Sequence, residues 1–183
     1  FNYLRIAVNE KCNLRCIYCM PEKGISFEPQ DKLLTRKEVI RVIQVVAKLG
    51  VNKIRFTGGE PLLRKDLVEL VSGAAETPGI DSINLTTNGI LLANSAKSLK
   101  DAGLTGVNVS IDTLEKEKYT EITRRDYIDK ACIGLEAAKG VGISSIKVNV
   151  VALRGFNDHE LSNFVRLTKD YPLTIRFIEL MPF

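Results

Sequence analysis

The sequence has no apolar run long enough to cross a membrane and no block of basic residues. Its 183 residues are 45% hydrophobic and 26% charged, which is ordinary for a globular protein. Because no stretch approaches 18 consecutive apolar residues, the sequence predicts no transmembrane helix. The formal net charge of +4 is mild. Without a cluster of lysines and arginines it indicates no nucleic-acid partner.

Cysteine and histidine are both scarce. Three of the four cysteines lie within eight residues, so they are not a disulfide framework, and we expect a reducing compartment. This is the cytoplasm, or the mitochondrial matrix if the source is eukaryotic. The fourth, Cys132, falls on the apolar stripe of a predicted helix and is expected to be a buried structural thiol. His159, the only histidine, is expected at the surface, although a role as a fourth metal ligand is conceivable.

The chain has no initial methionine and ends directly after a strand-like segment. We therefore expect a fragment of a longer protein, which leaves a trimmed targeting peptide open. No linker or low-complexity segment divides it, and its length suits one core. We predict one domain over residues 1–183.

Cys12, Cys16 and Cys19 are spaced C-x3-C-x2-C. Soft sulfur ligands this close together select an iron–sulfur cluster, zinc or Cu(I). No second C-x2-C or histidine pair completes a zinc ribbon, and the spacing differs from that of ferredoxins. Three cysteines on a four-iron cluster would leave one iron open to an outside ligand, which is a catalytic arrangement. A structural zinc remains the alternative.

Segments typical of strands and helices alternate along the rest of the chain. Strands are predicted at 4–8, 53–57, 82–87, 106–111, 146–151 and 174–179. Helices are predicted from a capping box at Thr35 to Gly50, and near 64–76, 93–102, 115–122, 128–141 and 158–169. Strands joined by crossover helices form parallel sheets. The fold class is therefore α/β, an open six-stranded parallel (β/α)6 partial TIM barrel.

The predicted strands carry apolar side chains on one face and polar side chains on the other. The apolar face must meet the helices, so in a barrel the polar face lines the lumen. An open sheet with one wet face is the alternative, but parallel sheets rarely leave a face to water. The predicted lumen carries many cations and amides, which favours a polar, anionic ligand. Its members include Arg5, Lys53, Arg55, Asn84, Thr86, Asn108, Ser110, Lys147, Asn149 and Arg176.

Two loops are expected at the C-terminal ends of neighbouring strands, where βα barrels keep their active sites. The cysteine loop follows the first strand, and Gly58-Gly59-Glu60-Pro61 follows the second. We expect the glycines to let the backbone approach a ligand and to expose N–H groups. The carboxylate of Glu60 can accept a hydrogen bond from an amine.

The cysteine motif, with an aromatic residue before its last cysteine, resembles that of the radical S-adenosylmethionine (SAM) enzymes. The resemblance implies a radical SAM type of barrel and a [4Fe–4S] cluster whose open iron is chelated by SAM. An electron from the cluster then cleaves SAM to a 5′-deoxyadenosyl radical. By the same resemblance, five residues match positions that contact SAM. These are Tyr18, Gly59, Glu60, Ser110 and Met181.

Further segments are similar to the GTP cyclase family that begins molybdenum-cofactor biosynthesis. They include Lys53–Leu62, Thr86–Gly89, Asn108–Asp112, Lys147–Val151 and Arg176–Glu179. The resemblance implies GTP as the substrate, an electron-donor protein or reductant, and a possible homodimer. It assigns GTP contacts to Arg5, Arg55, Thr86 and Lys147, with Lys53 and Arg176 as lumen neighbours.

Members of that family continue into a C-terminal region with a second cluster, which this chain does not include. Two other functions stay open at this point. One is a radical SAM enzyme with a different substrate, such as a peptide-maturing member. The other is a non-catalytic zinc-binding module. Metal content distinguishes the zinc module from the other two.

Overall fold

The computed structural model describes residues 1–29 and 32–180, in which strands alternate with helices. The strands are β1 Tyr3–Ala7, β2 Lys53–Thr57, β3 Ser82–Thr87, β4 Gly106–Ser110, β5 Ser145–Ala152 and β6 Leu173–Glu179. The α-helices are α1 Arg36–Lys48, α2 Leu67–Ala75, α3 Leu92–Asp101, α4 Lys116–Thr123, α5 Ile128–Gly140 and α6 Leu161–Asp170.

The strands form one sheet in the order β1-β2-β3-β4-β5-β6, and each pairs in parallel with the next. This confirms the predicted α/β partial barrel. The charge of Arg176 on β6 lowers the pKa of Arg55 on β2. In a flat sheet these strands would stand about 19 Å apart, at ~4.8 Å per strand, where solvent largely screens charges. The sheet therefore curls toward its polar face, the predicted lumen face, on which Arg5, Lys53 and Arg176 remain exposed.

Local signals account for where the helices begin. The Thr35 hydroxyl accepts from the Glu38 N–H, and the Glu38 carboxylate accepts from the Thr35 N–H at 2.7 Å, so the capping box that starts α1 is confirmed. Helix α2 begins later than predicted, because a 3-10 turn at Pro61–Leu63 precedes it. Helix α6 likewise begins after a separate turn at Asp158–Glu160.

The core lies between the apolar face of the sheet and the helices. Ile54, Phe56 and Leu85 of the strands and Leu70 and Leu99 of the helices are 0% exposed. Each such side chain contributes about 1.5–3 kcal/mol through removal from water. Among the described residues, no helix combines the length and the apolarity that a membrane span requires.

Strand β6 is an edge strand and is less covered. Phe177 packs edge-on against Phe164 of α6, with ring centroids 6.5 Å apart, yet it remains 41% exposed. Its side-chain direction follows the predicted alternation, but its burial does not, because β6 pairs with only one neighbouring strand.

Candidate active site

The cysteine loop leaves the sheet at the C-terminal end of β1. Cys12 and Cys16 are half-buried and Cys19 is exposed, and all three are free thiols. The backbone N–H groups of Cys19 and Met20 both donate to the Cys16 carbonyl at 2.9 Å. This bifurcated turn places Cys16 and Cys19 on one tight bend.

The three thiols influence one another electrostatically. Burial, together with the charges of Asp112, Cys12 and Cys19, raises the pKa of Cys16 to about 12. Burial also raises the pKa of Cys12, although the Leu14 N–H that donates to its sulfur lowers it in part. The free thiols of Cys12 and Cys16 are therefore protonated at neutral pH. A bound metal reverses this, because a coordinating thiol is deprotonated.

The donor set of the loop is three thiols, which suits an iron–sulfur cluster or a zinc ion. Among the described residues, the three sulfurs do not all lie within 4.8 Å of one another. The metal-free loop is therefore not already closed around a single-ion site.

The Gly58–Glu60 loop packs directly on the chain that leads into the cysteines. A Cβ atom added at Gly58 would collide with the Asn9 carbonyl, and one at Gly59 with the carbonyl of Lys11. The N–H groups of Gly59 and Glu60 donate to the Asn9 and Lys11 carbonyls at 3.0 and 2.7 Å. The expectation that the glycines expose their N–H groups is wrong for Gly59, because its N–H holds the cysteine loop.

Glu60 is a fully buried carboxylate at the centre of this contact. One oxygen accepts from the Leu62 N–H at 3.0 Å and from the Thr87 hydroxyl at 2.7 Å, and the other accepts from the Asn88 N–H at 2.7 Å. Burial raises its pKa, and these bonds lower it in part. In this structure Glu60 ties β2 to the end of β3. The second oxygen accepts only the bond from the Asn88 N–H among the described residues, so it keeps one acceptor site for the predicted contact with a ligand amine.

The end of β3 reaches the cysteine loop through Asn88. Its side-chain N–H donates to the Asn13 side-chain oxygen at 2.7 Å, and its own oxygen accepts from the Ile90 N–H at 3.1 Å. Asn13 directly follows Cys12. The first cysteine is therefore positioned from two strands, β2 through the glycine loop and β3 through Asn88.

Tyr18, the predicted aromatic contact of SAM, is anchored by Asp112 just past β4. Its hydroxyl donates to one oxygen of that carboxylate, and the Val151 N–H of β5 donates to the other at 2.8 Å. Burial raises the pKa of both Tyr18 and Asp112. Asn157 completes the assembly by donating to the carbonyls of Asp112 and Val151 at 2.7 and 2.8 Å.

The predicted substrate residues lie on the lumen face in two neighbouring rows. Arg5 pairs in register with Arg55 in one row. Thr86 and Lys147 flank Asn108 in the next. Burial lowers the pKa of Arg55, as do the charges of Arg176 and Arg5. The structure therefore brings Arg5 and Arg176 close enough to Arg55 for their charges to act on it.

Several buried polar atoms of the lumen have no hydrogen-bond partner. They are Nε of Arg55, Nδ2 of Asn108 and Oδ1 of Asn149. Each such atom is costly unless a water or a ligand satisfies it. Three strands thus present unpartnered polar atoms on the same face of the sheet, which suits contact with a polar molecule.

The remaining predicted residues have varied surroundings. Ser110 is half-buried at the end of β4, opposite Asn149. Met181 lies outside the described residues. Cys132 is half-buried rather than buried, and it packs on the edge of the core from α5.

His159 is exposed, as expected. Its ring nitrogen lies 2.8 Å from Glu115 and 2.7 Å from the Lys118 ammonium. Glu115, His159 and Glu160 are close enough to hold an ion. Both oxygens of Glu160, however, already accept bonds from residues 113 and 114, and the lysine places a positive charge beside the group. This cluster is a surface ion-pair network.

Three residues that hold the cysteine loop were not identified from the sequence as site residues: Asn88, Asp112 and Arg124. Asn88 directly follows β3, Asp112 lies two residues past the end of β4, and Arg124 directly follows α4. Position at the C-terminal edge of the sheet could have singled out Asn88 and Asp112. No sequence signal distinguishes Arg124 from its neighbour Arg125.

The sequence pattern of the radical SAM superfamily matches residues 6–168. The chain belongs to this superfamily, whose members combine SAM with an iron–sulfur cluster. A solved structure of anSMEcpe with bound AdoMet has the same fold, with a TM-score of 0.78 at 20% identity over 98% of this chain and 49% of that one.

Curated relatives are much more similar in sequence. The GTP 3′,8-cyclase of Listeria monocytogenes serotype 4b is 48% identical over 99% of this chain and 54% of its own length. The molybdenum cofactor biosynthesis protein moc-5 of Caenorhabditis elegans is 50% identical over 99% of this chain and 30% of its own length. The chain thus spans about half, or less, of the relatives that it matches.

Proposed function

We propose that this chain is the radical-generating domain of an enzyme that cyclises GTP in molybdenum-cofactor biosynthesis. The observation that carries the proposal is the cysteine loop, held at the edge of a lumen lined with cations and unsatisfied polar atoms. The names and identities of the relatives support the choice of GTP.

In this proposal Cys12, Cys16 and Cys19 are the protein ligands of a [4Fe–4S] cluster. The cluster, once bound and reduced by an outside donor, supplies one electron that cleaves SAM to methionine and a 5′-deoxyadenosyl radical. The three free thiols on one loop and the absence of a fourth cysteine from that loop support this assignment.

The other residues bind and orient the two ligands. Tyr18, Gly59, Glu60, Ser110 and Met181 are proposed to surround SAM, and the first of these is held rigidly by Asp112. Arg5, Arg55, Thr86 and Lys147 are proposed to bind GTP along the two lumen rows. The guanidinium and ammonium groups suit its phosphates, because charge-assisted hydrogen bonds to phosphate are strong.

Metal analysis after anaerobic reconstitution tests the proposal. We expect about four iron atoms and four sulfides per wild-type chain, and loss of the cluster in Cys12→Ser, Cys16→Ser and Cys19→Ser. Cys132→Ser is the matched control and is expected to load normally, since its sulfur lies on α5. Zinc in place of iron, or an intact cluster in Cys16→Ser, would contradict the assignment.

A further inference from the structure

Helix α4 ends against the cysteine loop. The carbonyls of Ile122 and Thr123, in its last turn, accept from the N–H groups of Ile17 and Arg15 at 2.9 and 3.1 Å. The last carbonyls of a helix have no partner within it. Here the cysteine loop supplies the missing donors, so the loop docks on the C-terminal end of α4.

Arg124 adds a second pair of hydrogen bonds, in which its side chain is the donor and the cysteine loop is the acceptor. One nitrogen of its guanidinium, Nη1, donates to the carbonyl of Arg15 at 2.7 Å and to that of Met20 at 3.1 Å. These carbonyls belong to the residues immediately before Cys16 and immediately after Cys19. A single side-chain nitrogen therefore bridges the two ends of the segment that carries both cysteines.

The backbone of Arg124 is unfavourable for arginine. Its φ of 56° and ψ of 27° are left-handed, and among the described residues it is the only one other than glycine with a positive φ. Helices commonly end in this conformation on glycine, which has no Cβ to clash. A bulky residue held there is typical of a site where the side chain has a role.

We propose that Arg124 is a positioning residue for the iron–sulfur cluster. Its guanidinium sets the separation of Cys16 and Cys19 before any metal arrives, so that the loop captures and retains the cluster in one geometry. The inference rests on the proposed function, because it takes these cysteines to be the ligands. A lysine cannot replace it fully, since its side chain is one bond shorter and its ammonium is more strongly hydrated than a guanidinium.

The first test uses the metal-free protein and therefore does not depend on the cluster. In Arg124→Gly we expect amide hydrogen exchange at Arg15 and Ile17 to be about tenfold faster than in the wild type, the scale of one lost charge-assisted hydrogen bond. Exchange at the Val8 amide, which bonds to β2, is expected to be unchanged. Arg125→Ala is the matched control, because that exposed guanidinium bonds only to the Arg124 carbonyl. Wild-type exchange rates at both loop amides in Arg124→Gly would overturn the inference.

The second test follows the loaded protein. We expect chelator-driven loss of iron to be about tenfold faster in Arg124→Gly, intermediate in Arg124→Lys and unchanged in Arg125→Ala. Thermal unfolding of metal-free Arg124→Gly should match or exceed the wild-type temperature, since glycine relieves the backbone. If Arg124 acted only as a helix cap, its replacement would lower the unfolding temperature. The measurement therefore distinguishes a loop-positioning role from a capping role.

The outcomes distinguish the two proposals. If the wild type and Arg125→Ala both fail to hold iron, the proposed function is wrong. If both hold it and Arg124→Gly releases it at the wild-type rate, the role of Arg124 is wrong. Should Arg124→Gly fail to fold, a wild-type rate in Arg124→Lys would equally refute bridging by the guanidinium.

Discussion

Glu60 shows at the scale of one residue how a buried charge can organise a site. Moving a carboxylate out of water is expensive, and the raised pKa of Glu60 reflects that cost. Three protein donors offset it, from residues 62, 87 and 88. Because these donors come from two different strand ends, the carboxylate joins the glycine loop to the segment that contacts Asn13.

We expect Glu60→Gln to destabilise the metal-free protein by about 1–3 kcal/mol. The glutamine NH2 group would replace the oxygen that accepts from the Asn88 N–H, so two donors would face each other. The loss should depend on pH. A carboxyl group with a raised folded pKa contributes most stability below its ordinary pKa of 4.5, and that contribution is lost as pH rises through the folded pKa. The difference between wild type and variant should therefore be largest in acid and smaller at neutral pH.

Urea unfolding across that pH range measures the difference. Exposed Glu121 provides the control, and Glu121→Gln should change stability little at any pH. A difference for Glu60→Gln that grows as pH rises would contradict the account.

At the scale of strands, the polar face concentrates cations that have few internal partners. Arg5, Arg55 and Arg176 lie close enough to affect one another, and the Nε of Arg55 is unsatisfied. The guanidinium of Arg55 also lies 5.7 Å from the centre of the Tyr3 ring, a contact worth about 0.5–1 kcal/mol at exposed sites. The like charges of such a lumen repel one another when it is empty, and a bound anion offsets that repulsion.

We expect Arg55→Ala and Lys147→Ala each to weaken GTP binding by about 1.5–3 kcal/mol, the scale of hydrogen bonds to charged groups. SAM affinity should change little, because its proposed contacts lie at the cysteine and glycine loops. Calorimetric titration with both ligands measures this. Lys37→Ala, which removes one positive charge from the exposed face of α1, serves as the control. Equal losses for GTP and SAM would mean that these cations stabilise the barrel and do not form a phosphate site.

At the scale of the molecule, the described residues form one six-stranded parallel sheet with its helices, and the chain spans about half of the Listeria relative. The lumen rows carry cations and amides on one face of this sheet. Among the described residues, β6 is an edge strand near which Phe177 and Leu180 are partly exposed.

We expect the 183-residue chain to bind SAM at a reconstituted cluster, and to produce 5′-deoxyadenosine slowly under strong reductant, without cyclising GTP. The reason is that none of the proposed lumen contacts is assigned to the guanine, and the chain spans only about half of the Listeria relative. Chromatography of the reaction products, with the Cys16→Ser variant as a blank, measures both. Cyclised GTP product from this chain alone would contradict the expectation.

Much of the fold could be predicted because its signals are local. The alternating strands and the capping box at Thr35 lie within a few residues of one another, and parallel pairing follows from the crossover helices. The first residues of helices α2 and α6 could not be predicted in the same way. Short 3-10 turns at Pro61–Leu63 and Asp158–Glu160 satisfy backbone groups in ways that periodicity does not reveal.

The sequence by itself determined which chemical groups this protein presents. Three cysteines lie within eight residues, and the cations occupy alternate positions of the strands, so both features follow from spacing along the chain alone. Only the tertiary structure decided what holds that chemistry in place. Glu60 is directed to Thr87 and Asn88, Tyr18 to Asp112, and Arg124 to the carbonyls around Cys16 and Cys19. These partners are 27 to 109 positions apart along the chain. They meet because parallel strands bring their C-terminal ends to one edge, where no local pattern in the sequence records the contact.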